Sequence, residues 1–168
     1  MSEPTPFDWG RALAALSDGE VRFIVIGAVA DRILGSPSVT RDLDICYARD
    51  RENLEALAAV LVGINARLRG VNEGVPFRLD ARTLAGGDSF TFVTDLGDLD
   101  VLATPSGTQG FDDLVREAER VQIDGRQILV ASIDDLIRMK RAAGRPKDLV
   151  EVEILGALRE EMATYRSP

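Results

Sequence analysis

The stretch that decides the fold is Val21–Tyr47, which reads VRFIVIGAVADRILGSPSVTRDLDICY. It begins with an apolar, β-branched run typical of a buried strand and passes through Gly27 into a short helix. A second strand then opens on Asp42 and Asp44. Because alternate residues of a strand face the same side, we expect both carboxylates to point one way, about 6–7 Å apart along the strand. Such a pair repels itself when ionised, and a bound divalent cation that prefers oxygen ligands, such as Mg²⁺, is the usual compensation.

The composition excludes several other kinds of site. The 168 residues include no histidine, which removes Ser-His-Asp, Cys-His and histidine–metal chemistry. Cys46 is the single cysteine, so there is no internal disulfide and no cysteine zinc cage, and its place inside a strand favours a buried apolar role over a reactive thiol. The length and the 45% apolar content predict one domain, 1–168, with a core large enough to fold without disulfides or a structural metal.

The charge distribution predicts a local anion site. The net charge of −8 argues against indiscriminate nucleic-acid binding. Both lysines of the chain nevertheless lie in one decapeptide, Arg138–Lys147, together with three arginines. No apolar run reaches 18 residues and the N-terminus MSEPTPFDWG lacks the features of a secretory signal, so we expect a soluble, cytoplasmic protein.

The spacing of apolar residues predicts the remaining elements. Helices are expected over 7–16, 28–34, 51–64, 111–120, 132–144 and 148–162. Strands are expected over 21–26, 43–47, 90–93 and 99–102, with a hairpin over 121–131 that turns at Asp124–Gly125. The segment 65–88 is expected to be irregular, with a short helix around Ala81. This order predicts an α+β fold in which helices pack against a mixed sheet, rather than a doubly wound fold.

Two motifs resemble the signature of the nucleotidyltransferase superfamily, which has the polymerase-β-like fold. The signature is hG[GS], a short helix, and then [DE]h[DE]h, where h is apolar. Here these stand as Val25-Ile26-Gly27-Ala28 and Asp42-Leu43-Asp44-Ile45, and a third acidic motif, h[DE]h, fits Leu99-Asp100-Val101. The chain is most similar to small bacterial nucleotidyltransferases of the AbiEii/MenT kind, which include toxins of toxin–antitoxin pairs. The resemblance covers Val21–Leu155, and the chain departs from the pattern at Ala28, which lacks the hydroxyl of a serine.

The resemblance implies transfer of a nucleoside monophosphate from an NTP to a hydroxyl. It implies that Asp42, Asp44 and Asp100 hold two Mg²⁺ ions, and that Asp100 takes the proton of the attacking hydroxyl. The family's later lysine and downstream aspartate fit Lys140 and Asp148. The catalytic residues it implies are therefore Asp42, Asp44, Asp100, Lys140 and Asp148. The nucleotide-binding residues it implies are Gly27, Ala28, Thr40, Arg41, Lys140, Arg145 and Lys147.

Several of these residues have a structural alternative. Asp98 shares a strand face with Asp100 and competes with it as the third carboxylate. The cations near Lys140 also suit a helix C-terminus, and Asp148 could cap the last helix. Thr40 could serve only as a strand-entry residue, and Arg41 could be structural or contact the acceptor.

The acceptor stays open at this point. The resemblance favours an RNA acceptor, most plausibly the tRNA 3′ end, in a toxin with a cognate antitoxin; such binding would use the basic decapeptide and arginines such as Arg67, Arg69, Arg78 and Arg82. An acidic cleft would instead favour a small cationic acceptor, as in aminoglycoside-modifying relatives. A non-catalytic protein that binds nucleotide or a partner, and AMP transfer to a protein, are further alternatives.

Overall fold

The computed structural model describes residues 7–72 and 74–166. The strands in this part of the chain are β1 Phe23–Ile26, β2 Asp42–Tyr47, β3 Arg67–Leu68, β4 Ser89–Thr94, β5 Gly97–Leu102, β6 Glu119–Ile123 and β7 Arg126–Val130. The helices are α1 Trp9–Asp18, α2 Gly27–Ile33, α3 Arg51–Gly63, α4 Ala81–Ala85, α5 Phe111–Leu114, α6 Ile133–Ala143 and α7 Pro146–Arg166. None of these helices combines the length and the hydropathy needed to cross a membrane.

The strands form one mixed sheet in the order β3-β4-β5-β2-β1-β7-β6. The pairs β1–β7 and β2–β5 are parallel, and the other neighbours are antiparallel. The predicted α+β class with a mixed sheet is therefore confirmed. The acidic strand β2 lies near the centre of the sheet, which gives its carboxylates a rigid base.

The core explains why the carboxylates of β2 face away from it. Leu43 and Ile45 alternate with the two aspartates and are fully buried, as are Leu57 and Leu61 of α3. Each such side chain contributes about 1.5–3 kcal/mol by its burial, so a one-residue shift of β2 is strongly disfavoured. Helix α3 contacts both α1 and α4, and helix α6 contacts both α2 and α7. Five predicted site residues lie on α2, α6 and α7: Gly27, Ala28, Lys140, Lys147 and Asp148.

Two expectations about the elements are wrong. The helix expected over 111–120 ends at Leu114, and Glu119–Ile123 forms β6 instead. The β6–β7 hairpin extends from its turn as far as the pairing of Glu119 with Val130. This strand pairing outweighs the helix-like spacing of apolar residues in the same segment. The segment 65–88 includes the short strand β3, which pairs with β4. A strand of two residues is too short to show an alternation of apolar and polar residues in the sequence.

Other local predictions are confirmed. The short helix near Ala81 is α4, capped by Asp80. Ser132 caps α6 by accepting a hydrogen bond from the backbone N–H of Asp135, and Gly144 ends that helix in the left-handed conformation. Cys46 is fully buried, and its burial raises the pKa of the thiol to about 12, as expected of an apolar filler.

Candidate active site

Four carboxylates lie on one face of the sheet where β2 and β5 run side by side. The parallel register pairs Asp42 with Asp98 and Asp44 with Asp100. Because paired residues of adjacent strands project to the same side, the four form two rows of two. The sequence predicts the row on β2 from spacing alone. The register with β5 depends on the sheet topology and was accessible only through the resemblance.

Within this group, Asp44 and Asp100 affect each other's protonation. Burial raises the pKa of Asp44 to about 7, together with the charge of Asp100, a hydrogen bond between the two side chains and the charge of Asp42. Burial also raises the pKa of Asp100, although the guanidinium of Arg69 acts in the opposite direction. Burial and mutual repulsion thus disfavour the state in which both carboxylates are ionised and no cation is bound.

This donor set fits a divalent cation that prefers oxygen ligands. All the side chains involved are carboxylates, and burial and the neighbouring negative charges raise the pKa of Asp44. Within residues 7–72 and 74–166, no three acidic or thiol side chains converge as a complete metal cage. Mg²⁺ is commonly held by only one or two carboxylates, with water and substrate phosphates completing its shell. The arrangement suits that mode of binding.

Gly27 places backbone directly against Asp44. Its φ is +69°, and a Cβ at this position would lie 2.2 Å from Asp44 Oδ2, so no other residue fits without displacing the carboxylate. Gly27 also begins α2, and no side chain caps that end of the helix in the described structure. The first backbone N–H groups of α2, including that of Ala28, thus face the neighbourhood of the acidic pair without a competing side chain.

Lys140 is buried between two carboxylates. Its Nζ lies 3.0 Å from Asp31 Oδ2 and 2.9 Å from Glu151 Oε2. Burial alone would lower the pKa of Lys140, but the hydrogen bond to Glu151 and the charge of Asp31 raise it. Its charge also acts on Asp44. The ammonium group therefore stays positive beside the acidic face while it ties α2, α6 and α7 together.

Asp148 has a capping role that differs from the one considered in the sequence. It sits at the third position of α7, where Oδ2 accepts the backbone N–H of Arg145 at 3.1 Å. This is the reach-back of an acidic residue in a capping box. The Arg145 side chain also pairs with it, Nε to Oδ2 at 2.7 Å, and this interaction lowers the pKa of Asp148. The buried carboxylate thereby fixes Arg145 at the edge of the site.

One cleft brings several predicted residues together. It has a volume of about 140 Å³ and is lined by Gly27, Lys140, Arg145 and Asp148. Apolar side chains of β1, of α6 and of the loop after β5 complete the wall: Ile26, Pro105, Leu136, Met139 and Ala143, with Ser106. The charge of Arg145 reaches Asp44, so the cleft and the acidic face are neighbours.

Four predicted nucleotide-binding residues do not line this cleft: Ala28, Thr40, Arg41 and Lys147. Thr40 Oγ1 accepts the backbone N–H of Asp42 and donates to its carbonyl, both at 3.1 Å, which is the strand-entry arrangement. Arg41 is exposed at the bend before β2, and Lys147 is exposed in the first turn of α7. Their roles toward a nucleotide stay predictions.

The sequence does not reveal the role of Arg69. This residue follows β3, and its Nη2 donates to Asp100 Oδ1 at 2.8 Å while its Nε lies 3.4 Å from Asp98 Oδ2. The sequence suggested Arg69 only as one of several RNA-binding arginines. Its actual position depends on the short strand that no period could reveal.

Comparison with solved structures identifies the architecture. The lincosamide antibiotic adenylyltransferase LnuA, bound to lincomycin, matches with a TM-score of 0.62 at 14% identity, over 92% of this chain and 99% of its own. This chain has the nucleotidyltransferase fold. The antibiotic-resistance factor ANT(2'')-Ia matches with a TM-score of 0.51 at 15% identity, over 91% of this chain and 88% of its own. A protein of Thermotoga maritima, provisionally assigned as a nucleotidyltransferase, matches with a TM-score of 0.51 at 17% identity, over 93% of both chains.

Comparison of the sequence with known proteins gives no match that would identify the activity. No protein-family model matches the chain, and no curated protein matches it. The identities to the solved structures are all below 20%. The likeness therefore establishes the fold, and the activity has to be argued from the site.

Proposed function

We propose that this protein transfers a nucleoside monophosphate from an NTP to a hydroxyl group, with a divalent cation as cofactor. The observation that carries the proposal is the contact between Gly27 and Asp44. The start of α2 and a buried acidic pair meet there, beside a cleft that two cations flank. A triphosphate offers phosphate oxygens to backbone N–H groups and to cations, and it brings a metal that needs carboxylates.

The chain's own residues have separate tasks in this reaction. Backbone N–H groups at Gly27 and Ala28 donate to phosphate oxygens. Lys140 and Arg145 offset the charge of the triphosphate, each held in place by carboxylates. Asp100 in its ionised form, paired with Arg69 Nη2 at 2.8 Å, takes the proton of the attacking hydroxyl.

Asp42 and Asp44 would hold the cation, while Asp100 stays paired with Arg69. The chemistry that bound Mg²⁺ supplies is neutralisation of the transferred phosphate and a lower pKa for the attacking hydroxyl. Ala28 lacks the hydroxyl that a serine would offer at this position, but the backbone N–H donor of the residue remains.

We propose a small cationic molecule as the acceptor. Of the five cations in Arg138–Lys147, three are paired with carboxylates: Arg138, Lys140 and Arg145. With Lys140 and Arg145 serving the triphosphate, little positive charge remains here for a second, polyanionic substrate, in a chain of net charge −8. An acidic face attracts an amine-bearing acceptor. Two structural neighbours, the lincosamide antibiotic adenylyltransferase LnuA and the antibiotic-resistance factor ANT(2'')-Ia, are consistent with a small-molecule acceptor.

An RNA acceptor is the second candidate. Arg141 and Lys147 are exposed at the α6–α7 junction, next to the cleft residue Arg145, and could contact a phosphate backbone. In this alternative the protein modifies the tRNA 3′ end as a toxin with an antitoxin partner. The two candidates differ in salt dependence, because binding through several phosphates weakens steeply as salt rises.

The test measures which phosphate of a labelled NTP is transferred, and to which acceptor. Each NTP, labelled at the α- or the γ-phosphate, is incubated with Mg²⁺ and one of three acceptor pools: aminoglycosides and lincosamides, total tRNA, or soluble protein. We expect α-label, but not γ-label, on a small amine-bearing acceptor, and no transfer by Asp44→Asn. Label on tRNA alone would favour the second candidate. Absence of α-label transfer to all three pools would contradict the proposed activity.

A further inference from the structure

Arg69 extends over the acidic face from the edge of the sheet. Its backbone N–H donates to the carbonyl of Thr91 at 3.0 Å, which anchors the residue just after β3. Its Nη2 then donates to the carbonyl of Phe92 at 3.1 Å and to Asp100 Oδ1 at 2.8 Å. The guanidinium is therefore fixed by groups on both β4 and β5.

The guanidinium of Arg69 forms ion pairs with only two of the four carboxylates on this face. Asp98 and Asp100, on β5, lie 3.4 and 2.8 Å from Arg69 nitrogens. Asp42 and Asp44, on β2, have no ion pair with it. The β5 row is thus paired with a positive charge, whereas the β2 row lies beside Gly27 without an ion pair to Arg69.

Arginine suits this task better than lysine would. Its guanidinium stays charged at any accessible pH and presents several donors in a rigid plane. One such group can bind two carboxylates and a carbonyl at once, as Arg69 does. The side chain is only 31% exposed, so solvent screens these contacts less than it screens surface pairs.

We propose that Arg69 takes the place of one of the two cations, so that this chain binds one divalent ion with the nucleotide, on the β2 row. Arg69 is then a positioning residue: it orients Asp100 toward the reacting hydroxyl and excludes a second ion from the β5 row. The inference rests on the proposed function, because the nucleotide and its metal are assumed to bind beside Gly27. It departs from the two-ion site that the resemblance implies.

The ion pairs of Arg69 argue against a second ion. A second divalent ion on the β5 row would have to compete with a fixed guanidinium at 2.8 Å from its best ligand, Asp100.

The test counts bound Mn²⁺ per chain in the presence of a saturating non-hydrolysable NTP, by metal analysis and by the spin–spin coupling that two adjacent Mn²⁺ ions show. We expect one ion and no coupling in the wild-type protein, and two coupled ions in Arg69→Met. Arg78→Met is the matched control, because it removes an exposed arginine that pairs only with Asp80 among the contacts described, and it should keep one ion.

Each outcome decides between the claims. Two coupled ions in the wild type, or a single ion in both the wild type and Arg69→Met, would overturn the role of Arg69 while leaving the proposed transfer intact. Nucleotide bound without Mn²⁺ would overturn both. If Arg69→Met does not fold, Arg69→Gln is measured instead, and the wild-type count remains decisive by itself.

Discussion

Replacement of Asp44 by asparagine should make the metal-free protein more stable, although it removes a proposed catalytic group. Asp44 lies against the backbone of Gly27 and beside Asp42 and Asp100, so its ionised form is disfavoured in the folded state. Asparagine has nearly the same shape and no charge. The substitution therefore relieves repulsion without opening a cavity.

The size of the effect follows from proton linkage. The pKa of Asp44 is raised from 3.8 to about 7 on folding. A folded-state pKa above the unfolded value means that the folded protein binds more protons between these limits, so its stability falls as pH rises from about 4 to about 7. A shift of about three units corresponds to about 4 kcal/mol, and Asn forfeits part of this through its altered hydrogen bond to Asp100, which leaves a gain of about 2–4 kcal/mol at pH 8.

The assay is urea unfolding in excess chelator at pH 4.5 and pH 8, for the wild type, Asp44→Asn and the control Asp124→Asn. Asp124 is exposed in the β6–β7 turn, where its left-handed conformation also suits asparagine. We expect the gain for Asp44→Asn to be nearly absent at pH 4.5 and full at pH 8, with no such pH dependence for the control. A loss of stability at pH 8, or an equal change at both pH values, would refute the crowding of charge on this face.

Three further substitutions test the neighbouring contacts. Gly27→Ala should cost at least about 1–2 kcal/mol through its left-handed φ and should abolish cation-dependent nucleotide binding by displacing Asp44, measured by thermal melting and calorimetry. Lys140→Met should destabilise the fold by about 3–5 kcal/mol in urea, because it leaves buried Asp31 without its cation. Asp148→Ala should cost about 1–2 kcal/mol at pH 7 by removing the reach-back cap. Since the pKa of Asp148 is lowered, this cost should shrink as pH falls below about 4.

Each of these has a clear contrary result. Normal nucleotide binding by Gly27→Ala would mean that the approach to Asp44 is not part of the site. A Lys140→Met protein as stable as the wild type would mean that the two carboxylates do not depend on the ammonium. A cost for Asp148→Ala that persists at pH 3 would assign it to packing rather than to the ionised cap.

The central part of the site could be predicted from the sequence because it is local. Gly27, Asp42 and Asp44 fall within 18 residues, and a strand's period fixes the face that both aspartates share. The buried alternation of Leu43 and Ile45 then fixes which face that is. These features need no knowledge of other parts of the chain.

The remainder depends on contacts between distant segments. The pairing of β2 with β5, which places Asp100 beside Asp44, joins residues more than 50 positions apart. The sequence predicts Lys140 as a phosphate contact, but it does not indicate the ion pairs with Asp31 and Glu151 from two other helices. Arg69 reaches the acidic face only because β3 pairs with β4. Neither composition nor periodicity encodes such partners.

The most direct test of the central claim is equilibrium binding of non-hydrolysable NTP analogues with and without a divalent cation, in the wild type and in Asp42→Asn. If the acidic row on β2 seats the metal of a bound triphosphate, binding requires the cation in the wild type and weakens at least tenfold in Asp42→Asn. Binding that is equally strong in chelator, or unchanged in Asp42→Asn, would contradict this account of the site.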